Sequence, residues 1–156
     1  SRFDREPRFL PFEWELLQTG DIGTTIDPKG HTLSISSLPS ASGIAARQLV
    51  FIPATGHYQL RWQLSGLNGN SDAALKFRLT CVESGKGVRP VPPVGLKEGA
   101  GNAFITIAGS TCSWYSVTLE LDAASSAVGT DIAIQKLSLR HNTESSGSTS
   151  SVKVGN

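Results

Sequence analysis

Two carboxylates are the first candidates for chemistry. Glu13 and Glu15 stand two residues apart in Phe12-Glu13-Trp14-Glu15-Leu16. On a strand both side chains point to one face, roughly 7 Å apart at the usual rise per residue. That separation suits a glycosidase pair. Glycosidases, however, hold their carboxylates on opposite sides of a sugar, from different elements. Two glutamates on the polar face of a first strand are ordinarily just solvated. The other catalytic patterns are missing. No serine occupies a G-x-S-x-G elbow. His31, His57 and His141 fall in predicted turns and strand ends, where a lone imidazole is usually exposed. Cys81 and Cys112 lack the close pairing of zinc ligands. The segment Lys97-Glu98-Gly99-Ala100-Gly101-Asn102 lacks the Lys-Ser/Thr ending of a phosphate loop. The chain is read as non-enzymatic.

Binding chemistry is better represented. In Tyr58–Leu64 the apolar Tyr58, Leu60, Trp62 and Leu64 alternate with Gln59, Arg61 and Gln63. In Leu75–Cys81 the apolar Leu75, Phe77 and Leu79 alternate with Lys76, Arg78 and Thr80. Were these strands adjacent and antiparallel, their polar side chains would merge into one outward face. Its amide, guanidinium and hydroxyl groups are the set that hydrogen-bonds sugar hydroxyls. Trp114 is the candidate stacking ring, because Tyr115, Val117, Leu119 and Leu121 form the apolar face of its strand and leave Trp114, Ser116 and Thr118 opposite. The alternative is an ordinary wetted sheet face, with Trp114 packed beside a disulfide. A bulge near Cys112 would also reverse the parity on which Trp114 depends. Trp14 and Trp62 are expected in the core.

The elements that must position these residues are strands. Period-2 alternation marks Phe12–Leu16, Leu33–Ile35, Tyr58–Leu64, Leu75–Cys81, Ala103–Ile107, Tyr115–Leu121 and Ile132–Leu139. The continuous apolar run Leu49–Ile52 reads as a strand buried on both faces. Between them stand Pro53-Ala54-Thr55-Gly56 and Asn68-Gly69-Asn70, both with turn chemistry. Gly85–Gly101, with three prolines and five glycines, is too long and irregular for a hairpin and reads as a crossover between sheets. No dozen residues keep a 3.6 period. The expected fold is all-β: a two-sheet antiparallel β-sandwich, or jelly roll, of about eight strands over residues 1–141. A flexible Ser/Thr/Gly-rich tail is expected over 142–156.

Composition narrows the function classes. The net charge is +1 and Lys and Arg are scattered. A nucleic-acid partner, which needs a basic stripe, is not expected. No apolar run approaches the roughly 20 residues that span a bilayer, so no membrane insertion is expected. The chain contains no Met, so Ser1 is expected to begin a fragment or a processed product, and a missing leader says nothing about export. An even cysteine count in a Ser/Thr/Gly-rich β chain points to a Cys81–Cys112 disulfide, and hence to an extracellular, periplasmic or cell-envelope setting. The alternative is two buried free thiols.

Phe3-Asp4 through Pro11-Phe12-Glu13-Trp14 resembles the opening of jelly-roll carbohydrate-binding modules and galactose-binding-like domains. Pro53-Ala54-Thr55-Gly56-His57-Tyr58-Gln59-Leu60 is similar to their "PxGxYxL" entry to a central strand, and Ile132–Leu139 is similar to their final strand. Cys81, with Cys112-Ser113-Trp114, also resembles the C-terminal sandwich domains of bacterial tetratricopeptide-repeat envelope proteins. The resemblance spans most of residues 3–140. It implies a carbohydrate-binding-like accessory domain whose partner is a polysaccharide or cell-envelope glycan, met by Gln59, Arg61, Gln63, Lys76, Arg78 and Trp114. The alternative it leaves open is a structural or protein-interaction domain attached to other domains of the same chain, such as a helical-repeat region. Many such modules hold a structural calcium through an Asp in the last strand. Here Gln135-Lys136 stand at those positions, and only Asp4 and Asp131 remain as ligands. No cofactor is expected.

Overall fold

The alternating segments form ten strands in a computed structural model that describes residues 3–67, 70–83, 89–108 and 112–142. They are β1 (Glu15–Leu16), β2 (Ile22–Asp27), β3 (Thr32–Ser37), β4 (Ser42–Phe51), β5 (Gly56–Ser65), β6 (Ala74–Cys81), β7 (Val94–Leu96), β8 (Gly99–Ile107), β9 (Trp114–Asp122) and β10 (Thr130–His141). One antiparallel sheet has the order β1-β4-β9-β6-β7 and the other β2-β3-β10-β5-β8. The fold is the expected all-β sandwich, with ten strands rather than eight.

The core lies between the sheets and is built by parity. Tyr58, Leu60, Trp62 and Leu64 of β5 face Leu75, Phe77 and Leu79 of β6 and Tyr115, Val117, Leu119 and Leu121 of β9, all buried. Burying each such side chain contributes about 1.5–3 kcal/mol, so this alternation is the main force holding the layers together. Trp14 and Trp62 are buried as expected.

Consecutive strands mostly change sheet. Among the described residues, β2–β3 and β6–β7 pair as neighbours; the other seven connections, from β1–β2 to β9–β10, all cross the sandwich. The β5–β6 crossover is tied down firmly. Gly66 adopts φ +103°, and a Cβ there would lie 1.9 Å from Asp131 O. The Glu98 carboxylate accepts from Gly66 N and Leu67 N at 3.2 and 2.7 Å. The buried Asn70 amide donates to Ser126 Oγ and Thr130 Oγ1. Of the expected Asn68-Gly69-Asn70 turn, residues 68–69 lie outside the described residues.

Three local expectations are corrected. β2 and β7 were not anticipated. Inward Thr24 breaks the apolar alternation of β2, its buried hydroxyl donating to Ala45 O at 2.9 Å, and β7 is three residues beside a Pro pair. Phe12 does not share a strand face with Trp14 and Leu16. Glu13 accepts from Arg8 N and Phe9 N, curling the segment so that β1 starts at Glu15 and Phe12 is 55% exposed. Leu49–Ile52 is not buried on both faces: Phe51, on the outer side of β4, is 56% exposed. The Gly85–Gly101 crossover does carry the chain from one sheet to the other, between β7 and β8. The expected tail lies outside the described residues from position 143 on. Cys81 and Cys112 form the expected disulfide, with Cα atoms 6.0 Å apart.

Candidate functional site

The six expected binding residues all point outward, yet they do not form one surface. β5 and β6 belong to different sheets. Gln59, Arg61 and Gln63 therefore face solvent on one side of the sandwich, and Lys76, Arg78 and Trp114 on the other. The merged polar face is corrected to two separate faces. The cause is the β5–β6 crossover, which lays these consecutive strands across the core rather than side by side.

On the β6 face the charges are spent on one another. Arg78 Nε and Nη2 donate to the two oxygens of Glu120 at 2.7 and 3.0 Å. Lys76 Nζ lies 3.8 Å from Asp122, and Arg47 pairs with Glu15. The guanidinium of Arg78 is the main reason that the Glu120 carboxyl sits below its ordinary value. Arg47 does the same for Glu15, and Glu13, which precedes β1, is held at about 2 by the N–H groups of Arg8 and Phe9 and by Arg5; neither glutamate is left free for acid–base work. Trp114 has the expected outward parity, since the β4–β9 register runs without a shift from Ala46↔Leu119 to Phe51↔Trp114. Its ring packs on Phe51 and Phe12, with centroids 5.0 and 5.8 Å away.

The β5 face differs. Three cross-strand rows run from β8 through β5 to β10: Phe104–Gln59–Arg140, Asn102–Arg61–Ser138 and Ala100–Gln63–Lys136. Phe104 is 62% exposed, an uncovered ring at one end of a polar field. Arg61 Nε donates to Gln59 Oε1 at 2.8 Å. That bond orients the guanidinium and leaves its two terminal nitrogens without a protein acceptor among the described residues. The rows open onto a cleft of about 850 Å³ lined by Gln63, Lys136, Ser138 and Arg140, with Asp4 and His31 on its other wall and buried Phe3 beneath.

Two local features make this cleft. β3 pairs with β10 only over Thr130–Ile134, ending at Leu33, so the β2–β3 turn carrying His31 at φ +51° stands beside the second half of β10. The second feature is a bulge. The β10–β5 register passes from Ile134↔Leu64 to Lys136↔Gln63, leaving Gln135 as the extra residue. Without it Leu137 and Leu139 would turn to solvent. With it they stay inward, and Lys136, Ser138 and Arg140 point out.

Phe104, Asn102, Lys136, Ser138 and Arg140 were not anticipated. The signal was in the chain: the apolar parity of the last strand switches from Ile132 and Ile134 to Leu137 and Leu139, which a bulge alone accommodates. Among the described residues no three His, Cys, Asp or Glu side chains converge as a metal group would need. Asp4 lines the cleft, whereas Asp131 sits near the start of β10 opposite Ser36.

No protein-family model matches the chain, and no curated protein matches it. Solved structures do. A CBM4 module aligns with a TM-score of 0.57 at 8% identity, covering 85% of this chain and 88% of that one. The fold is a jelly-roll β-sandwich, as that module's is. The same sandwich matches part of an arabinose-bound α-L-arabinofuranosidase, at TM-score 0.56 and 17% identity over 89% of this chain and 25% of that one. It also matches part of the enzymatically active domain of tailspike protein 4 of bacteriophage CBA120, at 0.51 and 14% over 83% and 19%. At such identities the likeness is one of architecture, and architecture alone does not assign a ligand.

Proposed function

We propose that this jelly roll is a non-catalytic glycan-binding accessory domain, and that it binds through the outer face of β8, β5 and β10. One observation carries the reading. On that face alone, planar amides (Gln59, Gln63, Asn102), an oriented guanidinium (Arg61), a hydroxyl (Ser138) and an uncovered aromatic ring (Phe104) lie in register beside an open cleft. Amide and guanidinium groups hydrogen-bond the hydroxyls of a sugar in pairs, and an exposed ring stacks on the C–H face of a pyranose. The reading invokes no metal: the last-strand positions that hold a structural calcium in the modules this chain resembles read Gln135-Lys136 here. An exported or cell-envelope location goes with it, since the Cys81–Cys112 disulfide persists in oxidising compartments.

Affinity electrophoresis against a panel of soluble polysaccharides tests it. Arg61→Ala and Phe104→Ala are expected to abolish retardation on whichever glycan slows the parent, while Arg78→Ala on the far face leaves it unchanged. A folded protein slowed by no glycan ends the proposal.

A second reading has its own observation. Phe12 and Phe51, whose rings pack on Trp114, and Val82, whose N–H donates to Trp114 O, are each more than half exposed at one end of the other sheet. Apolar exposure of this kind marks contact surfaces, and it favours a domain that docks through that end onto another part of a longer protein. Loss of such docking on Phe51→Ser with glycan binding intact would assign the two roles to opposite faces.

A further inference from the structure

The two outer faces differ in charge as well as in composition. On the β6 face each cation carried by a strand has a carboxylate: Arg47 with Glu15, Lys76 with Asp122, Arg78 with Glu120. On the β5 face the cations are Arg61, Lys136 and Arg140, all exposed. Among the described residues none of the three has an ion-pair partner. Ser138 sits across from Arg61, with Lys136 and Arg140 two residues to either side. The three cations thus form a triangle on the sheet, each side spanning roughly 7–14 Å at ordinary strand geometry. The cleft beside them offers one carboxylate in return, that of Asp4.

We infer that the glycan taken by this face is acidic, a polymer bearing ring carboxylates such as a polyuronate; this rests on the glycan-binding reading above. Arg61 is the anchor. Its Nε is fixed on Gln59, and its two terminal nitrogens form the planar fork that meets a carboxylate bidentately. Lys136 and Arg140 flank it on the neighbouring strand, so that a chain bearing several carboxylates meets more than one cation. His31 lines the opposite wall as a further polar group. A neutral glycan would leave three cations uncompensated beneath it, with their hydration partly removed, which disfavours its binding relative to an acidic one.

Polygalacturonate and its fully methyl-esterified form are suitable probes, because they share a backbone and differ in charge. Isothermal titration with the parent chain is expected to show binding to the acid that weakens at least about tenfold between low salt and ~0.5 M salt, with the ester at least about tenfold weaker than the acid. Arg61→Gln and Lys136→Gln/Arg140→Gln are each expected to lose about tenfold or more on the acid, while Arg78→Gln on the opposite face changes it less than about twofold. Equal binding of acid and ester overturns this inference and leaves the glycan reading standing. Equal losses from Arg61→Gln and Arg78→Gln also overturn it, since that marks diffuse attraction rather than a site. Binding of neither probe, where a neutral polysaccharide of the wider panel is bound, overturns it as well. Binding of no glycan at all removes both readings together.

Discussion

Gly101 lies in β8 directly opposite Trp62 of β5, between the outward Ala100 and Asn102 of the candidate face. A Cβ added there would stand 2.3 Å from Trp62 Cε2 and Cζ2 and 2.7 Å from Nε1. The indole cannot swing away freely. It is 6% exposed, and its Nε1 donates to Lys97 O at 2.9 Å. Gly101→Ala must therefore displace either the ring or the strand. Overpacking of this kind costs about 1–3 kcal/mol, and losing the Lys97 hydrogen bond adds about 1 kcal/mol. The expected destabilisation is about 2–4 kcal/mol, or about 5–15 °C in Tm for a chain of this size. Urea unfolding followed by tryptophan emission reads both the stability and the indole environment. Gly95→Ala is the control, since a Cβ at Gly95 meets nothing within 4 Å, and that change should be neutral or stabilising by about 0.5 kcal/mol. Trp62→Phe/Gly101→Ala should cost at least about 1 kcal/mol less than the sum of its single changes, because the smaller ring removes the collision. A Gly101→Ala protein within about 0.5 kcal/mol of the parent, with unaltered emission, would refute the packing argument and with it the claim that Trp62 sets the position of β8.

Gly66→Ala should destabilise by at least about 2 kcal/mol in the same urea assay: the obstructing atom is a backbone oxygen, 1.9 Å from the added Cβ, and the φ of +103° is one that alanine avoids. A midpoint unmoved from the parent's would contradict the account of the β5–β6 crossover. Cys81→Ser/Cys112→Ser should lose about 3.7 kcal/mol, as the chain-entropy relation gives for a loop of this length, the sequence separation being 31; an unfolding midpoint insensitive to reductant would count against it. The Glu13 carboxyl should titrate at about 2, against an ordinary 4.5, in a carbonyl-detected NMR titration. Because its folded value is depressed, its contribution to stability is present above the unfolded value near 4.5 and is lost as pH falls toward about 2. Glu13→Gln should lack that part of the acid dependence, and a Glu13 resonance that moves near pH 4.5 would refute the cap.

Which way each side chain points was readable from the chain, because parity is local. Leu60 and Trp62 lie inside and Arg61 outside, Phe77 inside and Arg78 outside, Tyr115 inside and Trp114 outside; in each case a single pleat decides. Where parity changes within a strand, the reading needed one more step. The shift from Ile134 to Leu137 as the inward residue encodes the bulge at Gln135, and with it the exposure of Lys136, Ser138 and Arg140. Phe12 was misplaced for a different reason. The carboxylate of Glu13 turns back onto the N–H groups of Arg8 and Phe9, and a side-chain cap of this kind outcompetes a strand that alternation alone would favour.

Which strands lie side by side is a non-local property, and here the candidate site turned on it. Two well-formed strands separated by a short polar segment read as hairpin neighbours, because a tight turn closes at the smallest entropic cost. The segment between β5 and β6 is instead committed to partners far along the chain: Gly66 against Asp131, Leu67 against Glu98, and Asn70 against Ser126 and Thr130. Those contacts draw the chain across the end of the sandwich, and β6 joins β9 rather than β5. Arg61 and Arg78 are thereby given opposite surroundings from nearly identical local sequences. Arg78 gains Glu120 beside it on β9 and is neutralised, whereas Arg61 gains Ser138 and two further cations on β10 and has no carboxylate partner among the described residues. The same residue type at the same pleat position is ion-paired on one sheet and without a carboxylate among the described residues on the other, and the difference comes from the neighbouring strand.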